Sequence, residues 1–289
     1  FIGLFMAFII WGFVVYGIAF GKHNYEIEHV TIEFENLPKS FDGFRIAQLS
    51  DLHLGSYRKP ANAIKGLELL KKQDFDLMVL TGDIVNNHYS ELLPYIEAFS
   101  SIKPKYGCYA CLGNHDMGDY RKWYSSEKTD PGLDSLEVLL KHSGIRLLRD
   151  QSIFIVQNED SILLAGVDNW GLPPFSARGD VNKAISSKDY KYFTVLLSHD
   201  PSHWAAQILP HHDVELTLAG HTHGMQMGIK MGSYFWSPAS KLYKHSKGLY
   251  FENGFAIYVN PGYGFLGFPG RIGMNPEITI IELKKSSKE

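Results

Sequence analysis

Five apolar runs, each short enough for a β-strand, end in side chains able to bind metal. "FRIAQLSDLH" (44–53) ends in Asp51 and His53, and "FDLMVLTGD" (75–83) in Asp83. "YGCYACLGNHD" (106–116) ends in Asn114, His115 and Asp116, "FTVLLSHD" (193–200) carries His199, and "VELTLAGHTH" (214–223) carries His221 and His223. In open α/β sheets, groups beyond the carboxyl ends of the strands converge on one crevice. Segments far apart in sequence then build a single cluster.

Taken singly, each cluster has an ordinary explanation. A lone histidine beside a strand is usually a satisfied or surface residue, and a lone Gly-Asp is usually a turn. His23, His29, His88, His142, His203, His211, His212 and His245 stay in that class, and Trp170 and the Met225/Met227 pair read as packing. Packing gives no reason, however, for Asp/His, Asp, Asn-His, His and His-x-His to stand at successive strand tips. A metal site is the better reading.

Between the runs lie helical patterns at 61–72 and 91–102, the second with Pro94 expected in its first turn. Strand and helix alternating at intervals of about thirty residues is the rhythm of βαβ units, and it predicts a sheet with a parallel interior. A helix at 134–144 should start on an Asp134 N-cap and stop at Gly144. The strands expected at 145–150, 152–157 and 161–168 follow too quickly for crossovers and read as a meander. Further strands are expected at 29–35, 255–260 and 278–283, and the tail from Lys284 reads as a frayed end.

The first twenty residues carry no charge and would span about 30 Å as a helix, the thickness of a bilayer's hydrocarbon core. We read residues 1–21 as a transmembrane anchor and 25–285 as the catalytic domain. A cleaved signal is the alternative, given the Gly17/Ala19 pair, but signal cores usually run only about 7–15 residues. Gly17 and Gly21 form a G-x-x-x-G, a weak sign of helix pairing. The net charge of −3, with no basic run, argues against a nucleic-acid polymer as partner. Cys108 and Cys111 lie three apart on a strand-like segment, so they point to opposite faces and read as two structural thiols.

The series D-x-H, G-D, G-N-H-[DE], H, G-H-x-H, complete and in order from Phe44 to His223, resembles the calcineurin-like metallophosphoesterase superfamily. The resemblance implies an α/β fold, a four-layer α/β/β/α sandwich. It implies two divalent metal ions, one held by Asp51, His53 and His223, the other by Asn114, His199 and His221, with Asp83 bridging both. The donor set suits Mn²⁺ first, with iron or zinc as alternatives, because Mg²⁺ or Ca²⁺ would ask for nearly all oxygen. His115 would face the leaving group as general acid or electrostatic stabiliser, oriented by Asp116.

Asn86 stands where purple acid phosphatases carry Tyr, and Leu112 where protein serine/threonine phosphatases carry Arg. The chain looks most like the membrane-associated bacterial branch, related to UDP-2,3-diacylglucosamine pyrophosphatases, although Met225 replaces the Gly usual after GHTHG. The aromatic segments 232–245 and 260–271 read either as a wall against lipid, with Arg271 clamping a substrate phosphate, or as cover for the sheet. The expected function is membrane-associated hydrolysis of a phosphodiester or pyrophosphate in a lipid-linked or envelope-related phosphate ester. Alternatives are a broad phosphodiesterase or phosphomonoesterase on soluble nucleotides, and a metal-binding scaffold without turnover.

Overall fold

The computed structural model describes residues 1–118, 131–231 and 234–286. Its first part runs α1 (Ile2–Ala19), β1 (Glu26–Phe34), β2 (Arg45–Leu49), α2 (Pro60–Leu70), β3 (Leu77–Thr81), α3 (Ile96–Ser100) and β4 (Cys108–Cys111). Then come α4 (Pro131–His142), β5 (Ile145–Leu147), β6 (Gln151–Gln157), β7 (Asp160–Gly166), α5 (Val181–Ala184), β8 (Thr194–Leu197) and, after helical turns at 201–211, β9 (Leu216–Ala219). The hairpin β10 (Ile229–Met231) and β11 (Tyr234–Trp236) precedes β12 (Gly248–Glu252), β13 (Phe255–Val259) and β14 (Glu277–Lys285).

Two six-stranded sheets result, ordered β1-β14-β2-β3-β4-β5 and β12-β13-β9-β8-β7-β6. β2 through β5 run parallel, as do β7, β8, β9 and β13, while β14 is antiparallel to β2, and β6 and β12 form antiparallel edges. The central runs are apolar at nearly every position because both of their faces are covered. Between the sheets, Ile46, Val79 and Cys111 meet Leu164, Val195 and Leu216. Outside the first sheet, Ala47, Met78 and Leu80 pack on Leu67 of α2, Phe99 of α3 and Leu140 of α4. Outside the second, Leu163, Leu196 and Val259 pack on Val181, Trp204 and Ile208. The layers are therefore helix, sheet, sheet, helix, as expected.

Cys108 joins the outer cluster and Cys111 the one between the sheets; both are free thiols. Pro94 does not open an α-helix: it lies in a 3₁₀ turn, Tyr89–Tyr95, and α3 begins only at Ile96. A proline has no N–H to give to the preceding turn, and its ring disfavours α geometry in the residue before it. Asp134 sits inside the first turn of α4 rather than capping it, whereas Gly144 does adopt the left-handed stop, at φ 77°. The expected meander is only half present. β5 completes the first sheet beside β4 after the α4 crossover, and Asp150, at φ 49°, turns the chain into the antiparallel β6–β7 pair of the second sheet. The frayed-end reading fails as far as Ser286: Lys284 and Lys285 belong to β14 and pair with Glu33 and Phe34 of β1, and the Ser286 N–H donates to the Phe34 carbonyl, while 287–289 lie outside the described residues.

Candidate metal centre

The carboxyl ends of β2, β3 and β4 in one sheet and of β8 and β9 in the other meet along one edge. Their side chains form two groups, Asp51 with His53 and His223, and Asp83 with His199 and His221, the donor atoms in each lying within 4.8 Å of one another. Nε2 of His223 is 3.0 Å from Nε2 of His53 and 3.2 Å from Oδ1 of Asp51. In the second group, Nδ1 of His221 is 3.3 Å from Nε2 of His199 and 2.9 Å from Oδ1 of Asn114. Asp83 Oδ2 lies 3.5 Å from His53 Nε2 and 3.3 Å from His199 Nε2, so one carboxylate touches both groups.

These separations fit cations. Ligand bonds of about 2.0–2.2 Å opening at roughly 90–110° put neighbouring donors about 3.0–3.5 Å apart. All of these donors but the half-buried His221 are buried, and buried carboxylates with no ion to balance them cost several kcal/mol each. The backbone is strained toward the same end: Asp51, His53, Asp83, His221 and His223 all have φ between 44° and 67°. Left-handed geometry costs an L-residue about 1–2 kcal/mol, and it persists where the surroundings over-determine it. Two motif glycines are required by close approach. A Cβ on Gly113 would stand 2.2 Å from Asp83 Oδ1, and one on Gly220 would stand 1.9 Å from Ser50 Oγ.

A further ring of groups orients the imidazoles. His53 Nδ1 meets Asn86 Oδ1 at 3.1 Å, and His199 Nδ1 donates to the Thr81 carbonyl at 2.7 Å. His221 Nε2 is 3.0 Å from the Tyr243 hydroxyl and 3.6 Å from Asp200 Oδ2. Electrostatics separate the histidines. Burial lowers His53 to about 3, outweighing the pull of Asp83. Burial also acts against His199, yet contact with Asp83, helped by Asp51, raises it to about 10. Burial pushes Asp51 and Asp83 up, but their imidazole neighbours prevail and hold both below the usual carboxylate range.

His115 is half-buried at the edge of the cluster, its ring 5.0 Å from that of His53. Its Nδ1 donates to the Asn86 carbonyl at 2.8 Å. Asp116 does not orient this ring. Its Oδ1 accepts from the N–H groups of Ile84 and Val85 and its Oδ2 from Gly113, so it ties the β3 exit loop to the β4 exit loop. Arg271 is likewise displaced from its expected place. It is fully buried, donates to the carbonyls of Gly264 and Pro261, and sets Nη2 3.4 Å from His223 Nδ1. An arginine so enclosed lies behind His223 and presents no fork to a substrate phosphate.

The aromatic segments divide between the two readings. Phe265 is buried against Tyr57, Phe235 and Phe268 are half-buried, and Trp236 is exposed; residues 232–233 of the first segment lie outside those described. Met225 and Met227 are exposed rather than packed. A cleft of about 580 Å³, lined by Leu172, Phe175, Asp200, Ala205, Leu242 and Tyr243 among others, reaches the second group, where the Phe175 ring stands edge-on to His221 at 4.6 Å. Asn86 and Tyr243 are the site residues that sequence reasoning missed. Asn86 had a signal, as a polar residue three places after Asp83, whereas Tyr243 was marked only as one member of the aromatic segment 232–245.

Residues 44–225, well over half of the chain, match the family model described as calcineurin-like phosphoesterase. A transmembrane protein with metallophosphoesterase domain from Danio rerio is 30% identical over 283 residues, which cover 94% of this chain and 60% of that protein. The metallophosphoesterase YkuE of Bacillus subtilis is 29% identical over 92% of this chain and 87% of its own length, and one from Aquifex aeolicus 28% identical over 89% and 91%. The chain thus spans less than two thirds of the Danio rerio protein and nearly all of the two bacterial ones. With the ligand series, the two-sheet fold and the family match in agreement, this chain belongs to the calcineurin-like phosphoesterases, a family built around a binuclear divalent metal centre.

Proposed function

We propose that this protein is a membrane-anchored phosphoesterase that uses two divalent metal ions to hydrolyse a phosphodiester or pyrophosphate bond in a lipid-linked or envelope-related substrate. The observation that carries the reading is Asp83, one carboxylate in contact with both donor groups. Asp51, His53 and His223 hold one ion, and Asn114, His199 and His221 the other. The mixed nitrogen and oxygen donors favour Mn²⁺, then iron or zinc. Anchoring is supported by α1, a helix of 18 residues with almost no buried surface, and by the likeness to the Danio rerio relative, a transmembrane protein. Residues 1–21 are the anchor and 25–285 the catalytic domain.

When bound, two such ions clamp phosphate oxygens and make water nucleophilic at neutral pH. The protein supplies the rest. Asp51 and Asp83 neutralise only half of the charge that two divalent ions bring, so the site still attracts a phosphate. His115, fixed through Nδ1 on the Asn86 carbonyl, has Nε2 as the atom that gives a proton to the leaving oxygen. Asp116 holds the two loops that carry Asp83 and His115 at their spacing.

The test uses the full chain, stripped of metal, reloaded with Mn²⁺ and offered an aryl phosphodiester, its monoester and a UDP-linked acyl sugar. His115→Gln should bind the same amount of metal and lose about 10²–10⁴ in kcat. A fully loaded wild-type protein that turns over none of the three compounds would leave a metal-binding scaffold as the better description.

A further inference from the structure

We propose that α1 and the β10–β11 hairpin form one membrane-facing unit, with the anchor docked on the domain and the hairpin's exposed apolar side chains seated in the headgroup region of the bilayer. This rests on reading α1 as a membrane-spanning helix. The end of α1 and the 3₁₀ turn Gly21–His23 after it are covered on one face: Gly17 and Gly21 are buried, and Val14 and Ile18 are half-buried. That is the i, i+3, i+4, i+7 pattern of a packed helix face. The cover is the segment 270–272, whose Arg271 N–H donates to the Gly17 carbonyl at 3.2 Å. A Cβ on Gly17 would meet Ile272 Cγ1 at 2.6 Å, and one on Gly21 would meet the Arg271 carbonyl oxygen at 2.2 Å. The G-x-x-x-G thus admits backbone of its own chain rather than a second helix.

Depth follows from helix geometry. Gly17 lies one turn, about 6 Å, before Gly21, and the first charge comes only at Lys22, whose Nζ donates to the Pro269 carbonyl at 3.0 Å. The domain therefore touches α1 inside its uncharged stretch. Interfacial protein segments sit about 5–10 Å into the boundary between headgroups and acyl chains, which matches that level.

The hairpin leaves from the same place. Ile272, whose side chain adjoins Gly17, pairs with Met227, held by N–H donation from Ile272 to the Gln226 carbonyl and from Gly228 to the Ile272 carbonyl, both at 2.9 Å. Beyond it, Met225 (45% exposed), Met227 (36%), Ile229 (56%) and Trp236 (37%) present apolar surface beside the anchor. A tryptophan at the edge of an apolar patch is suited to the membrane–water interface. Bilayer is the occupant that reaches this patch, because the neighbouring helix is already in it.

The consequence for the metal centre is one of height. Arg271 spans the distance: its carbonyl faces Gly21 and its guanidinium lies 3.4 Å from His223 Nδ1. The metal ligands stand one arginine side chain from the anchor, at the level where a lipid headgroup presents its phosphate.

The full chain in phosphatidylcholine vesicles with brominated acyl chains tests this, since bromine quenches a tryptophan only on contact. Trp11 lies about 15 Å along α1 from Gly21, near the bilayer midplane, so it reports the anchor, while Trp236 reports the hairpin. Each contribution is read by difference, using Trp11→Phe and Trp236→Phe. Both should be quenched, Trp236 most by bromine near the headgroup end of the acyl chain and Trp11 most by bromine near the chain terminus. Quenching of Trp11 without Trp236 overturns the seated hairpin and leaves the patch to a protein contact, whereas loss of both removes the anchor reading on which it stands. Gly21→Leu adds a side chain against the Arg271 carbonyl and should reduce Trp236 quenching while sparing Trp11. Unchanged Trp236 quenching in that variant overturns the docking.

Discussion

The two halves of the metal centre differ in what borders them more than in burial, since His223 of the first keeps 11% of its side chain exposed and His221 of the second 7%. Asp51 and His53 have no exposed surface, and their half is backed by Asn86 and by an arginine that is itself fully buried. The other half borders the cleft. His221 has Phe175 against its face and the half-buried Tyr243 on its outer nitrogen. Rigid, dry support preserves a geometry, and an open wall admits a ligand. On the proposed reading the first half would be the fixed base of the site and the cleft beside the second the side where substrate arrives, with Asp83 joining them.

Removing the joint should have the largest effect. Asp83→Asn takes away the charge shared by both halves, so metal analysis should show both ions weakened together. kcat/KM should fall by on the order of 10³, the scale expected when a charge-stabilising group is lost from an active site. Full activity with two ions bound would show that the halves work independently. Arg271→Met is sharper, because it touches only the base. Arg271 has no acceptor for the Nδ1–H of a His223 that binds through Nε2, so its support is the loop it ties behind that ring, and stranding the buried Gly264 and Pro261 carbonyls costs about 1–3 kcal/mol, roughly 10–100-fold in affinity. That loss should fall on the first ion alone, and an equal loss at the second would mean the variant has disturbed the whole fold.

The difference between the halves also decides what could be read from the sequence. The candidate donors were legible because each follows an apolar strand directly, so local pattern and fold-level convergence point to the residues that the fold brings together. Enclosure was not legible. Arg271 is 48 residues beyond His223, in a loop whose path depends on β14 and α1, and nothing local tells a buried guanidinium from an exposed one. Asp116 shows the same limit in reverse: its position beside His115 implied contact, yet its oxygens face backbone N–H groups of two different loops. The sheets were mostly foreseen, but β12 and the β10–β11 hairpin were not, since their short runs mix aromatic, charged and glycine residues without alternation.

Protons give a further contrast. In the metal-free protein His53 is lowered to about 3, so above about pH 4 the first half has no imidazolium there to discharge. His199 is raised to about 10, so at neutral pH its proton must leave before the nitrogen can bind a cation. The sign follows: apparent affinity for the second ion should rise about tenfold per pH unit up to about 10. Calorimetry at pH 7.5 in two buffers of different ionisation enthalpy should count about one proton released from His199 with the second ion, and none released would remove the contrast between His53 and His199.

The smallest effect belongs to Tyr243. With Nδ1 of His221 facing Asn114 and His199, that nitrogen would hold the ion and Nε2–H would donate outward, to the Tyr243 hydroxyl at 3.0 Å. Asp200, with Oδ2 3.6 Å from the same nitrogen, is a second acceptor already in place. The phenol stands in the wall of the cleft, where water can take over its hydrogen bond, so no buried group is stranded when the hydroxyl is removed. Tyr243→Phe should therefore weaken the second ion by less than about tenfold, below the range for a fully enclosed outer partner, and leave the first unchanged. Competitive metal titration of this variant beside Arg271→Met makes the comparison direct. A loss as large as that of Arg271→Met would show that the cleft side is held as tightly as the base, and the division between a fixed half and an open half would fall.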